Sequence, residues 1–378
     1  MKVLHVVNIS FVIPYYLGAQ IDYLQQRKID IFIACTPSEH LFEYANEKGF
    51  IPLGVSILRE ISVLQDLKAV WTLRKLIKKE RIDIVIGHTP KGALIGMLAG
   101  YLSGTKKRIY FRHGLVYETS KGLKRIVLKT IERFTGFLST KVVCVSPSVL
   151  EISNREKLSN SLKNVILNKG TCNGLDAEGT FNRHLVSDTA LKQLKTKYLL
   201  EDNDRVIGYV GRLVNDKGIC ELISAWQEIC KEHNHVKLLL AGPFERRDSI
   251  DDATKKVIME EPSIIHTGLI SDVVTHYALM DIFILPSHRE GFPTVVLEAS
   301  AMELPVITTN VTGCRDAIVP GETGRFTNIN PTAIAENVGY YLDNFEQAKL
   351  DGMNGRKFVI SNFNQLGIWE KIERELIR

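Results

Sequence analysis

The chain is predicted to be an α/β protein of two doubly wound parallel sheets that face each other across a cleft. Its 378 residues exceed what one hydrophobic core ordinarily serves. Short apolar runs alternate with helix-length segments, a rhythm that implies right-handed crossovers between parallel strands. The rhythm lapses near residues 174–185 and restarts at residue 205, which divides the chain into domains 1–175 and 176–363.

KVLHVV opens as a strand, because a run apolar on both faces suits a sheet covered by helices on both sides. LGAQIDYLQQRK reads as a helix and IDIFIAC as a second strand. Next come the strand IDIVIGH (82–88), the helical PKGALIGMLAGYLSG, the strand RIYFRHG (108–114), a basic helix over 122–137 and the strand KVVCVS (141–146). NVILNKGTCNGLD adds a last strand and a glycine-bearing turn. The second domain runs through RVIGYVGRLVNDKG (205–218), ELISAWQEICKE, VKLLLAGP, IIHTGLI, HYALMDIFILPS, a helix begun in EGFPTVVLEAS, and LPVITT. NQLGIWEKIEREL is amphipathic, with Leu366, Ile368, Trp369 and Ile372 on nearby faces, and the helix 364–378 is expected to pack back on the first domain. In Rossmann-like sheets of this kind ligands bind beyond the carboxyl ends of the strands, and the candidate residues all lie at such ends.

Composition narrows the function. At 45% apolar and 24% charged the chain is an ordinary globular protein. MKVLHVVNIS lacks the features of a secretory leader, and GALIGMLAGYL is about half the length needed to span a bilayer. Six scattered cysteines form no C-x-x-C pair, so neither a disulfide framework nor a zinc site is indicated, and a reducing, cytoplasmic setting is expected. The net charge of +5 conceals an asymmetry: residues 1–175 hold 26 Lys+Arg against 13 Asp+Glu, or +13, while the remainder is −8. One half therefore meets something anionic. No nucleic-acid-binding pattern occurs, which leaves a diphosphate-bearing substrate or an anionic membrane surface.

Two loops carry the candidate chemistry. In YVGRLVNDKG a strand ends, Gly211 turns the chain, and Arg212 and Lys217 come after it on one short loop. A guanidinium fork and an ammonium at a strand's end make a plausible diphosphate clamp, although a merely solvated loop would look the same. It is not a Walker loop, since G-x-x-x-x-G-K-[ST] occurs nowhere. In PSHREGFPTVVLEAS, Gly291 permits close backbone approach and Pro293 suits a first helical position. The amides of that first turn attract phosphate oxygens. Glu290 alone reads as a capping carboxylate, but Glu298 lies too far inside the helix to cap it. Asp202-Asn203-Asp204 precedes a strand rather than ending one, and reads as a turn instead of a metal-binding D-x-D.

EGFPTVVLE carries the E-x7-E spacing, and with it HTPKGALIGMLAG, RHGLVYET, VCVSPSV, NGLD, GRLVNDKGI, HTGLISDV and PVITT occur in one order. In these motifs the chain resembles the retaining glycosyltransferases of family 4, of GT-B fold, and within them bacterial enzymes of capsular polysaccharide and lipid-linked oligosaccharide synthesis. The resemblance implies that Arg212 and Lys217, with Gly211 at their turn, hold the donor's diphosphate. It implies that Glu298 binds the nucleotide ribose and that Glu290 orients the donor sugar. Gly291, Phe292, Pro293 and Thr294 would contact sugar and phosphate, and Leu269 the base. His113 of RHGL matches a histidine facing the reacting sugar; by itself a lone strand-end histidine would read as structural. Asn8 and Lys91 are placed on the acceptor's side. One departure stands out: the first loop, NISFVIPYYLGAQ, carries only Gly18 where the family often has adjacent glycines.

The activity expected on this resemblance is transfer of a sugar from a nucleotide-sugar, UDP-sugar favoured, to a saccharide acceptor on a polyprenyl diphosphate, with retention of configuration. No cofactor and no metal are expected, because the two cations take the place of a magnesium ion. Arg212→Ala should slow turnover by about two orders of magnitude. Glu298→Ala should raise the donor KM and Glu290→Ala lower kcat. The basic clusters TSKGLKRIVLKTIERF and LRKLIKKER either are solvated surface helices or rest on the inner face of the plasma membrane as a peripheral contact. A soluble sugar-phosphate synthase or epimerase of the same fold, or a catalytically silent scaffold, is the alternative.

Overall fold

Among residues 1–60 and 62–378, which the computed structural model describes, the strands pair in parallel into two separate sheets. Contacts divide the chain into Met1–Gly174 with Gln365–Arg378, and Leu175–Asn364. In the first unit the strands are β1 (Lys2–Val6), β2 (Asp30–Cys35), β3 (Ile51–Gly54), β4 (Ile84–Gly87), β5 (Lys107–Arg112), β6 (Lys141–Cys144) and β7 (Asn164–Val165). Their order across the sheet is β3-β2-β1-β4-β5-β6-β7. The second unit holds β8 (Arg205–Val210), β9 (Val236–Ala241), β10 (Ile264–Gly268), β11 (Ile282–Leu285), β12 (Val306–Thr309) and β13 (Gly324–Thr327), ordered β10-β9-β8-β11-β12-β13.

Chain order reverses direction beside β1 in the first sheet and beside β8 in the second. There the loops after neighbouring strands diverge to opposite faces and leave a crevice at the strands' carboxyl ends. The loops after β8 and β11, which carry Arg212, Lys217 and Glu290, are therefore neighbours by topology. So are those after β1, β4 and β5, which carry Asn8, His88 and His113.

The strands are apolar on both faces because helices cover both. Ile207, Tyr209, Leu238, Leu240, Ile282 and Phe283 are all buried, as are Val3, Leu4, Phe32 and Val85 in the first unit. Each such side chain contributes about 1.5–3 kcal/mol. The edge strands are β3 and β7 in the first sheet and β10 and β13 in the second, and the helices Glu39–Lys48 and Val63–Glu80 belong to the first unit. The last strand of the first unit is shorter than NVILNKG suggests, covering only Asn164–Val165. Asp202-Asn203-Asp204 forms a turn, closed by the Asp204 amide on the Glu201 carbonyl at 3.1 Å.

In the terminal helix Gln365–Lys371, Ile368 and Trp369 are buried, and Trp369 Nε1 donates to Asn173 Oδ1 at 2.7 Å. Leu366 faces solvent instead of joining them.

Candidate active site

The loop after β8 is held from below. Gly218 has φ +70, and a Cβ there would lie 2.0 Å from the Pro286 carbonyl oxygen, so only glycine lets the loop sit against the end of β11. Polar ties then join the two loops. The His288 amide donates to the Asp216 carbonyl at 2.9 Å, and Arg289 Nη2 donates to Asp216 Oδ2 at 2.6 Å. Ser287 Oγ lies 3.0 Å from that same carbonyl. Asp216 and Arg289 thus flank Lys217 and Glu290 in sequence and clamp their loops together.

The result is direct contact between two of the expected residues: Lys217 Nζ pairs with Glu290 Oε1. Their side chains are 18% and 14% exposed, shielded enough for the charges to be felt. Arg212 is 53% exposed and pairs with Glu245, a residue that no sequence pattern singles out. Each cation is already matched by a carboxylate.

Beside them begins the helix Thr294–Ala301, with Pro293 one residue ahead of it at the N-cap, not inside its first turn. Among the described residues no side chain caps this helix, which leaves the Thr294 and Val295 amides without a capping partner. Gly291 and Pro293 are buried, while Phe292 and Thr294 are half-buried. Phe292 packs on Phe363, with ring centroids 5.3 Å apart. One turn inside, Glu298 accepts from Tyr277 Oη at 2.9 Å. Burial pushes its carboxyl up to about 7, with the Tyr277 hydroxyl pulling the other way. Leu269, just after β10, is 69% exposed, an apolar side chain displayed at a strand end. Gly211 makes the turn after β8 at φ +150.

In the first unit His113 follows β5 and is half-buried. Its Nε2 lies 3.0 Å from His88 Nδ1, and His88 Nε2 lies 3.0 Å from His5 Nδ1. Burial lowers His113 and His5 to about 3, and lowers His88 well below the ordinary imidazole range. Asn8 follows β1, and its carbonyl accepts from Thr36 Oγ1 at 3.1 Å. Lys91 lies in the first turn of the helix Pro90–Ser103, tied to Asp66 at 2.6 Å and to the Glu60 carbonyl at 2.7 Å. The first loop folds into short helical turns over Ser10–Val12 and Ile13–Tyr16, and Gly18 closes it at φ +47.

The family profile described as glycosyltransferase family 4 matches residues 15–166, and that of glycosyl transferases group 1 matches residues 204–344. Over 373 residues the chain is 36% identical to the capsular polysaccharide biosynthesis glycosyltransferase CapM of Staphylococcus aureus, covering 98% of this chain and 96% of that protein. This chain belongs to glycosyltransferase family 4. The glycosyltransferase is also 26% identical, over 94% of its length and 90% of the other's, to an Escherichia coli enzyme named UDP-Gal:alpha-D-GlcNAc-diphosphoundecaprenol alpha-1,3-galactosyltransferase. Its fold is GT-B. Anabaena HepE, solved with UDP and glucose, superposes with a TM-score of 0.83 at 16% identity, covering 100% of this chain and 99% of that one.

The basic helices of this glycosyltransferase also expose apolar side chains. On Gly122–Leu138, Leu123, Ile126, Val127, Phe134 and Phe137 are exposed beside Lys121, Lys124 and Arg133. On Val63–Glu80, exposed Val63, Leu64, Leu67 and Trp71 accompany exposed Lys68, Lys75, Lys78 and Lys79. Among the described residues, no helix is long and apolar enough to cross a membrane.

Proposed function

We propose that this glycosyltransferase moves a sugar from a UDP-sugar to a saccharide carried on a polyprenyl diphosphate, in surface-polysaccharide assembly, with retention and without a metal ion. The observation that carries the reading is the Lys217–Glu290 contact at the reversal point of the second sheet, beside the uncapped start of Thr294–Ala301. A cation, a carboxylate and uncapped amides at one spot suit the two ends of a nucleotide-sugar: diphosphate on one side, hydroxylated ring on the other.

In this scheme Lys217, Arg212 and the amides of Gly291, Phe292 and Thr294 stabilise the diphosphate as it gathers charge. Glu290, oriented by Lys217, accepts from hydroxyls of the donor sugar. Its place beside the ammonium also means that diphosphate must share Lys217 with it, so sugar and phosphate are aligned by one ion pair. Arg212 exchanges Glu245 for a phosphate oxygen as the donor arrives. Attack comes from the face the diphosphate leaves, and a diphosphate oxygen takes the acceptor's proton. His113 contacts the sugar being transferred, Leu269 lies by the base, and Asn8 and Lys91 meet the acceptor, Lys91 after release from Asp66.

Glu298 receives the ribose diol. Since the diol donates to an ionised carboxylate, donor KM should fall as pH rises through about 7. The sign for stability is opposite. The folded carboxyl titrates above its unfolded value, so its contribution is full below pH 4.5 and is lost as pH climbs towards 7. Glu298→Gln should flatten both profiles; a wild-type donor KM with no inflection near neutrality would remove Glu298 from ribose binding.

The exposed apolar and basic residues of Gly122–Leu138 and Val63–Glu80 rest on the anionic leaflet that carries the acceptor. Each lysine near such a surface is worth about 1 kcal/mol. Lys121→Ala combined with Lys124→Ala should therefore weaken binding to phosphatidylglycerol vesicles roughly thirtyfold. Equal binding by wild type and variant would place this helix away from the lipid.

The donor reading is tested by thermal shift with UDP-, GDP- and ADP-sugars in the presence of EDTA, since a ligand of the native state raises its apparent stability. A UDP-sugar should raise Tm without divalent ions. No shift with any of the three, or one restored only by magnesium, would refute it.

A further inference from the structure

We propose that His5 and His88 are positioning residues that deliver His113 to the reaction as one tautomer, with its proton on Nδ1. The inference rests on the reading of His113 as the histidine that meets the transferred sugar.

Three neighbouring strands supply the three rings: His5 lies within β1, His88 directly after β4, and His113 directly after β5. They form one chain, His5 Nδ1 to His88 Nε2 and His88 Nδ1 to His113 Nε2, each link 3.0 Å long. Aromatic faces hold the rings in place. Tyr16 stacks on His113 at 3.9 Å between centroids, and Phe111 on His88 at 5.1 Å. The His88 amide also donates to the Val6 carbonyl at 2.9 Å. Thr89, the next residue, sits at φ 57 and ψ 148, a conformation that a β-branched side chain strongly resists. Such strain is kept where its surroundings over-determine it, and here it accompanies the turn that aims His88.

The direction of the chain decides the tautomer. His5 and His88 are buried, and desolvation keeps these imidazoles neutral, so each ring holds one proton. Two arrangements satisfy both links. In one, His113 Nε2–H donates to His88 and His88 Nε2–H to His5, which forces the last proton onto His5 Nε2. That atom is buried with no hydrogen-bond partner among the described residues. In the other, His5 Nδ1–H donates to His88, His88 Nδ1–H donates to His113, and His5 Nε2 is left as a bare lone pair. An orphaned buried N–H is a rarer defect than an orphaned lone pair, and on that ground the second arrangement is selected. His113 then has Nε2 occupied as an acceptor and presents Nδ1–H, a donor, to its ligand. The chain thereby favours a sugar substituent that offers a lone pair at that position, whether hydroxyl, carbonyl or carboxylate oxygen.

The test uses the full-length protein labelled with 15N-histidine, in which long-range proton–nitrogen correlations distinguish a protonated ring nitrogen from a bare one. In the wild type His113 should show a protonated Nδ1 and a bare Nε2, a result read without any substitution. His88→Phe, which keeps a ring but removes the donor, should leave His113 a mixture of tautomers and lower kcat/KM about tenfold. His88→Asn, whose amide nitrogen stands near the place of Nδ1, should restore much of both. A protonated Nε2 on wild-type His113 would overturn the inference. So would a large loss in His113→Ala with none in His88→Phe. An unchanged kcat/KM in His113→Ala would instead overturn it through the underlying reading, by removing His113 from the reaction.

Discussion

Lys217→Ala is expected to lower kcat for sugar transfer by about two to three orders of magnitude, the loss of about 3–4 kcal/mol that removal of one preorganised donor to developing negative charge brings. Sequence reasoning assigns the comparable loss to Arg212, and exposure reorders the two. Lys217 is 18% exposed against 53% for Arg212, and a charge in a shielded site acts through a lower effective dielectric. Arg212→Ala should therefore cost closer to tenfold. Replacing Lys217 also strands Glu290, whose unpaired carboxylate would then face the diphosphate. The companion measurement is Lys217→Ala with Glu290→Gln, which removes that repulsion and should recover donor KM but not kcat. A single variant within threefold of the wild-type kcat, at unchanged Tm, would mean that the leaving group is stabilised elsewhere.

The parts of this site that could be read in the sequence are those in which chemistry sits at the end of a buried strand. VIGYV and IFIL are apolar throughout because both faces of a parallel sheet are covered, and such runs locate themselves. The polar residues after them are then placed at the carboxyl edge by order alone, which is why Arg212, Lys217 and Glu290 could be grouped before any coordinates. Two of the four edge strands escape this logic. IPLG at β3 is broken by Pro52 and Gly54, and GRFT at β13 holds a single large apolar residue, so neither reads as a strand. Also hidden are partners supplied from distant strands. His5 and His88 are separated by 83 positions and acquire meaning only when β1 lies next to β4. Glu245 and Tyr277 are of the same kind, because no local pattern foretells that one will neutralise Arg212 or that the other will donate to Glu298. The helix Gly122–Leu138 is intermediate. Its lysines are plain in the sequence, but whether the interleaved leucine and phenylalanine side chains face the core or the solvent depends on which face packs on the sheet.

Glu132→Ala is expected to destabilise the first unit by about 3–5 kcal/mol, the usual cost of removing one partner from a buried ion pair. Arg112 and Glu132 are 0% and 5% exposed and meet at 3.1 Å. Tyr110 Oη lies 3.0 Å from both carboxylate oxygens, and Arg112 Nη1 donates to Ser153 Oγ at 2.9 Å. Desolvation is the largest single influence on Arg112 and works against its charge, but Glu132, Tyr110 and Cys144 together outweigh it and hold the guanidinium above its ordinary value. For Glu132 burial wins, and its carboxyl is raised in spite of Arg112. Without Glu132 the arginine would be a bare charge inside the sheet, with Nη2 already lacking a partner among the described residues. In a unit of this size Tm should fall by roughly 6–20 °C. An apolar pair, Arg112→Met with Glu132→Leu, should recover most of that loss, because neither charge remains to be desolvated. The position of the pair gives the measurement a second use. Arg112 ends β5 and is followed at once by His113, so the ion pair anchors the backbone from which that imidazole projects. If anchoring matters to transfer, the apolar pair should regain Tm yet keep a reduced kcat/KM. Full recovery of both would show that packing alone holds the end of β5 in place.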